Sequence, residues 1–275
     1  VAGKARRAAI REAVKRNLAD FPMSNYYENL GRNLGRAAIP VLRKAKLSWQ
    51  SLAGSEEDRI RADKELGPAL AQEVRNQLGL VQDPQDTALI QRLCDQLRAC
   101  VKNKLFSFQV ELVGAPEPMA LSLPGGFLFI SRSMLDLCQR YEDEVAFVLG
   151  HEMAHVLRGH ASDRLWQESA LQLAAKVVGR ANPLQAWVGN TGLQMLASGH
   201  SQDCELEADE FGSQLAEAAG HHPLAGLRLL DRLASSQAPQ STLGSYLSSH
   251  PPYAQRMAHL RRVWSQYQGA KPTST

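Results

Sequence analysis

At 275 residues, 44% of them hydrophobic, the chain is long enough to bury a sizeable core, and it has no run of eighteen or more apolar residues of the kind that spans a membrane as a helix. The net charge of +3 hides a polarity: residues 1–50 carry eleven Lys and Arg against three Asp and Glu, so the remainder is net acidic and no nucleic-acid partner is expected. The four cysteines, Cys94, Cys100, Cys138 and Cys204, follow no CxxC spacing, which argues against a cysteine-only zinc site or a thioredoxin-like dithiol.

The chain begins at Val1 rather than Met, which allows for a removed signal peptide or anchor. From Lys4 to Phe21, Ile10, Val14, Leu18 and Phe21 recur at helical spacing while Arg6, Arg7, Arg11, Lys15 and Arg16 take other faces. This is a basic amphipathic helix. Such a helix lies on an anionic membrane surface as a peripheral contact, or packs its apolar stripe on the protein's own body or a second subunit. Pro40 and the stretch Ser51 to Asp58 break the pattern where the charge changes sign, so a boundary is drawn near residue 55. Residues 1–55 are then a helical extension, 56–268 a domain and 269–275 a flexible tail.

Two helices are expected next, over about Ile60 to Leu78 and Asp86 to Cys100, the first ending at Gly79 and the second opening after Asp83-Pro84. On one helix Cys94 and Cys100 lie about 9 Å apart, too far for a disulfide, so free thiols are expected. Residues 106–130 change character: FSFQVELV alternates apolar with polar residues, and LSLPGGFLFIS holds two short runs around Pro124-Gly125-Gly126. They predict a small β-sheet. Within it Gly126, Phe127 and Leu128 begin a run to Ile130 that reads as an exposed edge, where an extended peptide adds as a strand; a strand buried in the sheet is the alternative. After Ser131 the chain is helical to its end, punctuated by Gly220, Pro223, Pro251 and Pro252. The fold class is α+β, mostly helical with one small sheet.

The helix predicted over Tyr141 to His160 opens with Glu142, Asp143 and Glu144, suited to the positive end of a helix dipole, and contains no proline. His151 and His155 are four residues apart, so both imidazoles lean over one face a turn apart, as two nitrogen ligands of a tetrahedral zinc require. Glu152 lies beside them, able to reach a water at the metal without being a ligand. His160, nine residues from His151, falls on the opposite side of an ideal helix and is not expected to be a ligand. The longer HExxHxxGxxH pattern fails, since Arg158 and Ala161 stand where it needs Gly and His. A bare HExxH arises by chance in about one chain in a hundred of this length. Against chance, all eight histidines fall between residues 151 and 259, and a third ligand is on offer downstream. In Asp203 to Gly212, Glu205 and Asp209 share a helix face, so one can bind metal while the other accepts a hydrogen bond from a ligand histidine. Glu207 should point away from them.

At these residues the chain resembles the zinc metallopeptidases of the HtpX, CAAX prenyl protease and Oma type. HEMAH, CELEADEFG, LSLPGGFLFIS and the late Ser248-Ser249-His250-Pro251-Pro252 carry the likeness, which covers roughly residues 60–265. It differs where family members often have Asn-Ala-Phe before the Pro-Gly-Gly turn: this chain reads Pro118-Met119-Ala120-Leu121-Ser122-Leu123. The resemblance implies a zincin-like metallopeptidase domain of the compact branch without membrane spans, and one zinc per chain. It further implies that His151, His155 and Glu205 are ligands, Glu152 the general base and Asp209 the support of a ligand histidine. The family's HP motif falls on His250, which would donate a hydrogen bond to the oxyanion or occupy the open zinc position. The expected reaction is hydrolysis of peptide bonds in unfolded or membrane-associated polypeptides, in a membrane-associated or periplasmic location.

Two other readings compete. A zinc-stabilised adaptor without catalysis would have no use for Glu152 beside the ligands, and a peptide deformylase would need a cysteine ligand in an EGC-type segment, which is absent. His200, His221, His222 and His259 read as loop or surface residues.

Overall fold

One helix, built from the HExxH segment, is the buried centre of the described residues. The structure is a computed structural model and describes residues 55–160, 162–163, 201–235 and 253–270. The basic N-terminal helix, His200 and His250 lie outside the described residues.

Helix α1 (Glu56–Leu78) starts at a reciprocal cap: the Ser55 hydroxyl accepts from the Asp58 amide, and the Asp58 carboxylate accepts from the Ser55 amide. Helix α2 (Pro84–Cys100) starts where the Asp83 carboxylate accepts from the amides of Gln85 and Asp86, with proline in its first turn. The sheet follows as β1 (Gln109–Val113), β2 (Ala120–Leu123) and β3 (Phe127–Ser131), in the spatial order β1-β3-β2. β1 pairs parallel with β3, Val110 opposite Leu128, and β2 pairs antiparallel with β3, Ser122 opposite Leu128. The expectation that residues 126–130 form an exposed edge therefore fails. β3 is the middle strand and both its hydrogen-bonding edges are taken. Its first residue, Phe127, packs against Gly67 of α1 and lies under the Arg75 guanidinium.

Short α3 (Arg132–Leu137) leads into α4 (Glu142–Arg158), then α5 (Gln202–Ala218), α6 (Ala225–Ser235) and α7 (Tyr253–Ala270) complete the described chain. Every residue of α4 from Glu144 to Val156 is buried, because α2, β2, α5 and α6 all pack on it. Its apolar side chains join Leu93 and Leu97 of α2, Leu128 and Ile130 of β3, Leu229 of α6 and Trp264 of α7 in one core. Burial of each such side chain contributes about 1.5–3 kcal/mol before chain entropy is counted. The buried Glu144 carboxylate in the first turn of α4 is met by two guanidinium bonds from Arg232 of α6, at 2.6 and 3.0 Å. The four cysteines are free thiols. Among the described residues no helix is long and apolar enough to cross a membrane.

Candidate metal centre

Helices α4 and α5 touch at two glycines. A Cβ on Gly212 would stand 2.6 Å from the His151 amide nitrogen, and one on Gly150 would stand 2.7 Å from the Gly212 carbonyl oxygen. Backbone therefore packs on backbone, and the short side chain of Glu205, two helical turns from this contact, reaches the histidines of the facing helix. His151 and His155 present their rings edge to face, centroids 4.7 Å apart, with their Nε2 atoms 3.1 Å from one another. Glu205 Oε2 is 3.5 Å from His151 Nε2, and Oε1 is 3.4 Å from His155 Nε2. All three side chains are buried, and they form the one group of His, Cys, Asp or Glu among the described residues whose donor atoms gather in a triangle fit for a metal ion.

The triangle fits zinc. Bonds of 2.0–2.1 Å to nitrogen and oxygen in tetrahedral geometry put ligand atoms about 3.3–3.4 Å apart, and here the two Nε2 atoms are 3.1 Å apart while each has one of the two Glu205 oxygens at 3.4 or 3.5 Å. The donor set also fits: two imidazole nitrogens and a carboxylate oxygen, all buried, with the Glu152 carboxylate buried in the same helical turn.

Asp209 lies one turn after Glu205 on the same face of α5, and its Oδ1 is 3.0 Å from His151 Nδ1. Arg256, on α7, is wholly buried and clamps that carboxylate through Nε at 2.7 Å and Nη2 at 2.6 Å, while its Nη1 lies 3.6 Å from Glu205. Burial pushes the Asp209 carboxyl up, but the charge and hydrogen bonds of Arg256, together with His151, more than reverse this and hold it below the usual carboxylate range. Burial likewise opposes a charge on His151, yet hydrogen bonds to Asp209 and Glu205 prevail and hold its pKa at about 9.

Three features escaped the reading from sequence. Arg256 sits at the spacing of Tyr253, Leu260 and Trp264 on the buried stripe of α7, and a basic residue on an apolar stripe was the signal. Gly150 and Gly212 interrupt otherwise good helices, which marks a close approach. His160 is the third: α4 ends at Arg158, Gly159 takes a left-handed conformation (φ 75°), and the chain folds back so that His160 Nδ1 comes within 2.9 Å of His155 Nδ1. It is not on the far side of a continuing helix, although it stays outside the donor triangle. Glu207 does turn away from Glu205, but around the end of α4 it meets Arg158 and His160. Two of the remaining histidines differ from expectation. His221 is nearly buried between Asp143 and Gln96, and His259 lies on α7 against Glu210, whereas His222 is exposed.

A histidine pair one turn apart on a buried helix, completed by a glutamate from a crossing helix, defines the zincin class of metallopeptidase fold. Comparison with known proteins narrows it further. The chain belongs to peptidase family M48, whose sequence pattern matches residues 84–263, from α2 to α7. It is 26% identical over 192 residues to the mitochondrial metalloendopeptidase OMA1 of Schizosaccharomyces pombe, covering 68% of this chain and 56% of that protein. It is 28% identical over 152 residues to the metalloprotease LoiP of Escherichia coli (54% of this chain, 59% of that one). To the beta-barrel assembly-enhancing protease of Yersinia pestis it is 25% identical over 213 residues, 74% of this chain and 44% of that one. The chain spans about half the length of the curated relatives it matches.

Proposed function

We propose that the protein is a zinc metalloendopeptidase in which His151, His155 and Glu205 hold the metal and Glu152 is the general base. The observation that carries this reading is the buried triangle of donor atoms with a non-ligand carboxylate in the same helical turn. Zinc held there supplies Lewis acidity, polarising a peptide carbonyl and making water acidic enough to lose a proton near neutral pH. Glu152 takes that proton and returns it to the leaving amine. Asp209 accepts from His151 Nδ1, which leaves the Nε2 lone pair facing the metal and fixes the ring. His250 either donates a hydrogen bond to the developing oxyanion or closes the open metal position as a latch.

The substrate is an unfolded or membrane-associated polypeptide bound in extended form. It pairs with β2 rather than with β3. Met119 and Leu123 carbonyls accept from Ser131 and Gly126, so by antiparallel alternation the backbone groups of Ala120 and Ser122 face away from β3. A membrane-associated or periplasmic location, with residues 4–21 as a peripheral contact, is supported by the basic face of that helix.

The test is cleavage of an unfolded protein by the zinc-loaded chain and by Glu152→Gln, with zinc content measured on both. The variant is expected to keep one zinc and lose about 10²–10⁴-fold in rate. Equal cleavage by the two proteins would remove the assignment.

A further inference from the structure

The polar contacts at the end of α4 have no part in the reaction steps above, yet they lead straight to a metal-holding histidine. His155 Nδ1 lies 2.9 Å from His160 Nδ1, and His160 Nε2 lies 3.2 Å from Glu207 Oε2. Glu207 is held in turn by Arg158 Nε at 3.0 Å, and Arg158 lies over the Phe211 ring. The left-handed turn at Gly159 makes this possible, and α1 braces it: Arg59 packs against Gly159 and donates to the Arg158 carbonyl.

We propose that His160 and Glu207 are positioning residues for His155, a relay that sets which nitrogen of the metal-holding ring carries its proton. The proposal rests on the metal-site reading above. A neutral imidazole has one donor and one acceptor nitrogen. For His155 to offer Nε2 to zinc, its proton must sit on Nδ1, and that N–H needs an acceptor. His160 Nδ1 is the acceptor only if the His160 proton is on Nε2, and the Glu207 carboxylate, which only accepts, holds it there. Reversing the chain would put a proton on His155 Nε2 and spoil the ligand. The two metal histidines are thus oriented by different routes from one helix: Asp209 acts on His151 directly, and Glu207 acts on His155 through one intervening ring. Glu205, Glu207 and Asp209, at alternate positions of α5, divide into ligand, remote orienter and near orienter.

Zinc affinity, read by competition with a chromogenic chelator, tests this on the wild type, His160→Leu, His160→Asn, Glu207→Ala and the double variant His160→Leu/Glu207→Ala. Urea unfolding of each metal-free protein accompanies it, to separate orientation of the ligand from general stability. Loss of an orienting partner is expected to weaken zinc about 10- to 100-fold in His160→Leu and Glu207→Ala, and His160→Asn, which keeps an acceptor near the Nδ1 position, should stay within about threefold of wild type. The double variant should bind no more weakly than His160→Leu, since the two act in series. Unchanged affinity in His160→Leu, equal loss in His160→Asn, or losses that multiply in the double variant would each overturn the relay. Wild-type protein that binds no zinc would instead overturn the metal site itself, and the relay with it.

Discussion

Replacing Arg256 by Met keeps an apolar stem and removes the guanidinium that makes two short bonds to Asp209, 2.7 and 2.6 Å, in a wholly buried setting. Asp209 is then a buried carboxylate facing Glu205 with its cationic partner gone. Breaking a buried pair from one side costs about 3–5 kcal/mol, whereas removing both charges costs far less. The double variant Arg256→Met/Asp209→Asn should therefore be more stable than Arg256→Met alone, with a coupling energy of about 1–3 kcal/mol across the cycle. Urea unfolding of the metal-free proteins measures all four corners. The pH dependence gives a second reading. In the wild type Asp209 is held below the usual carboxylate range, so its contribution is present above that range and lost as pH falls. In Arg256→Met only His151 still opposes burial, so the carboxyl rises and the stability it contributes at higher pH shrinks. The gap between the two proteins must widen with pH. A gap under about 1 kcal/mol at pH 8, or strict additivity in the cycle, would refute the claim that Arg256 neutralises the metal centre.

Gly212→Ala pits helix propensity, which gains about 1 kcal/mol, against a Cβ placed 2.6 Å from the His151 backbone, and overpacking costs about 1–3 kcal/mol or more. A lower melting temperature and weaker zinc binding are expected; a variant as stable as wild type would mean that the helices separate freely. The buried Asp63 of α1 accepts from the Ser162 hydroxyl at 2.7 Å. Burial raises its pKa from 3.8 to about 6, against the lowering effects of Ser162 and Arg59. Stability from this group is full below about pH 4 and lost as pH rises through about 6, a difference of about 3 kcal/mol at most. Asp63→Asn should accordingly gain on wild type between pH 4.5 and 8 in urea midpoints, and a pH-independent gap would show that the carboxyl is not the cause.

What the sequence made legible was local. His151 and His155 share one helix, so four residues of spacing suffice to put their rings together, and the same holds for Glu205 and Asp209 on theirs. That the two pairs face one another depends on a glycine contact between residues 62 apart in sequence, which no periodicity records. Arg256 was opaque for the same reason, since its partner lies on another helix. His160 was misread because an ideal helix was continued past Gly159, although a glycine just beyond a helix end is where a left-handed cap forms. The sheet shows the same division. The two short runs around Pro124-Gly125-Gly126 are legible as strands and become β2 and β3, but β1 reaches the far side of β3 through a parallel pairing, a long-range choice that turned the expected edge into the centre.

Helix α1 precedes the segment that matches the peptidase family, yet it touches the scaffold of the centre in two places. Its Gly67 seats Phe127 and the carbonyl of Pro124 beside the sheet, while Arg59 and Asp63 grip Gly159 and Ser162 where the histidine helix stops. A fragment trimmed to the shared family segment would thus forfeit a clamp, leaving apolar sheet surface bare and the tether beneath His160 loose. The first described helix belongs to the machine whose family segment it precedes.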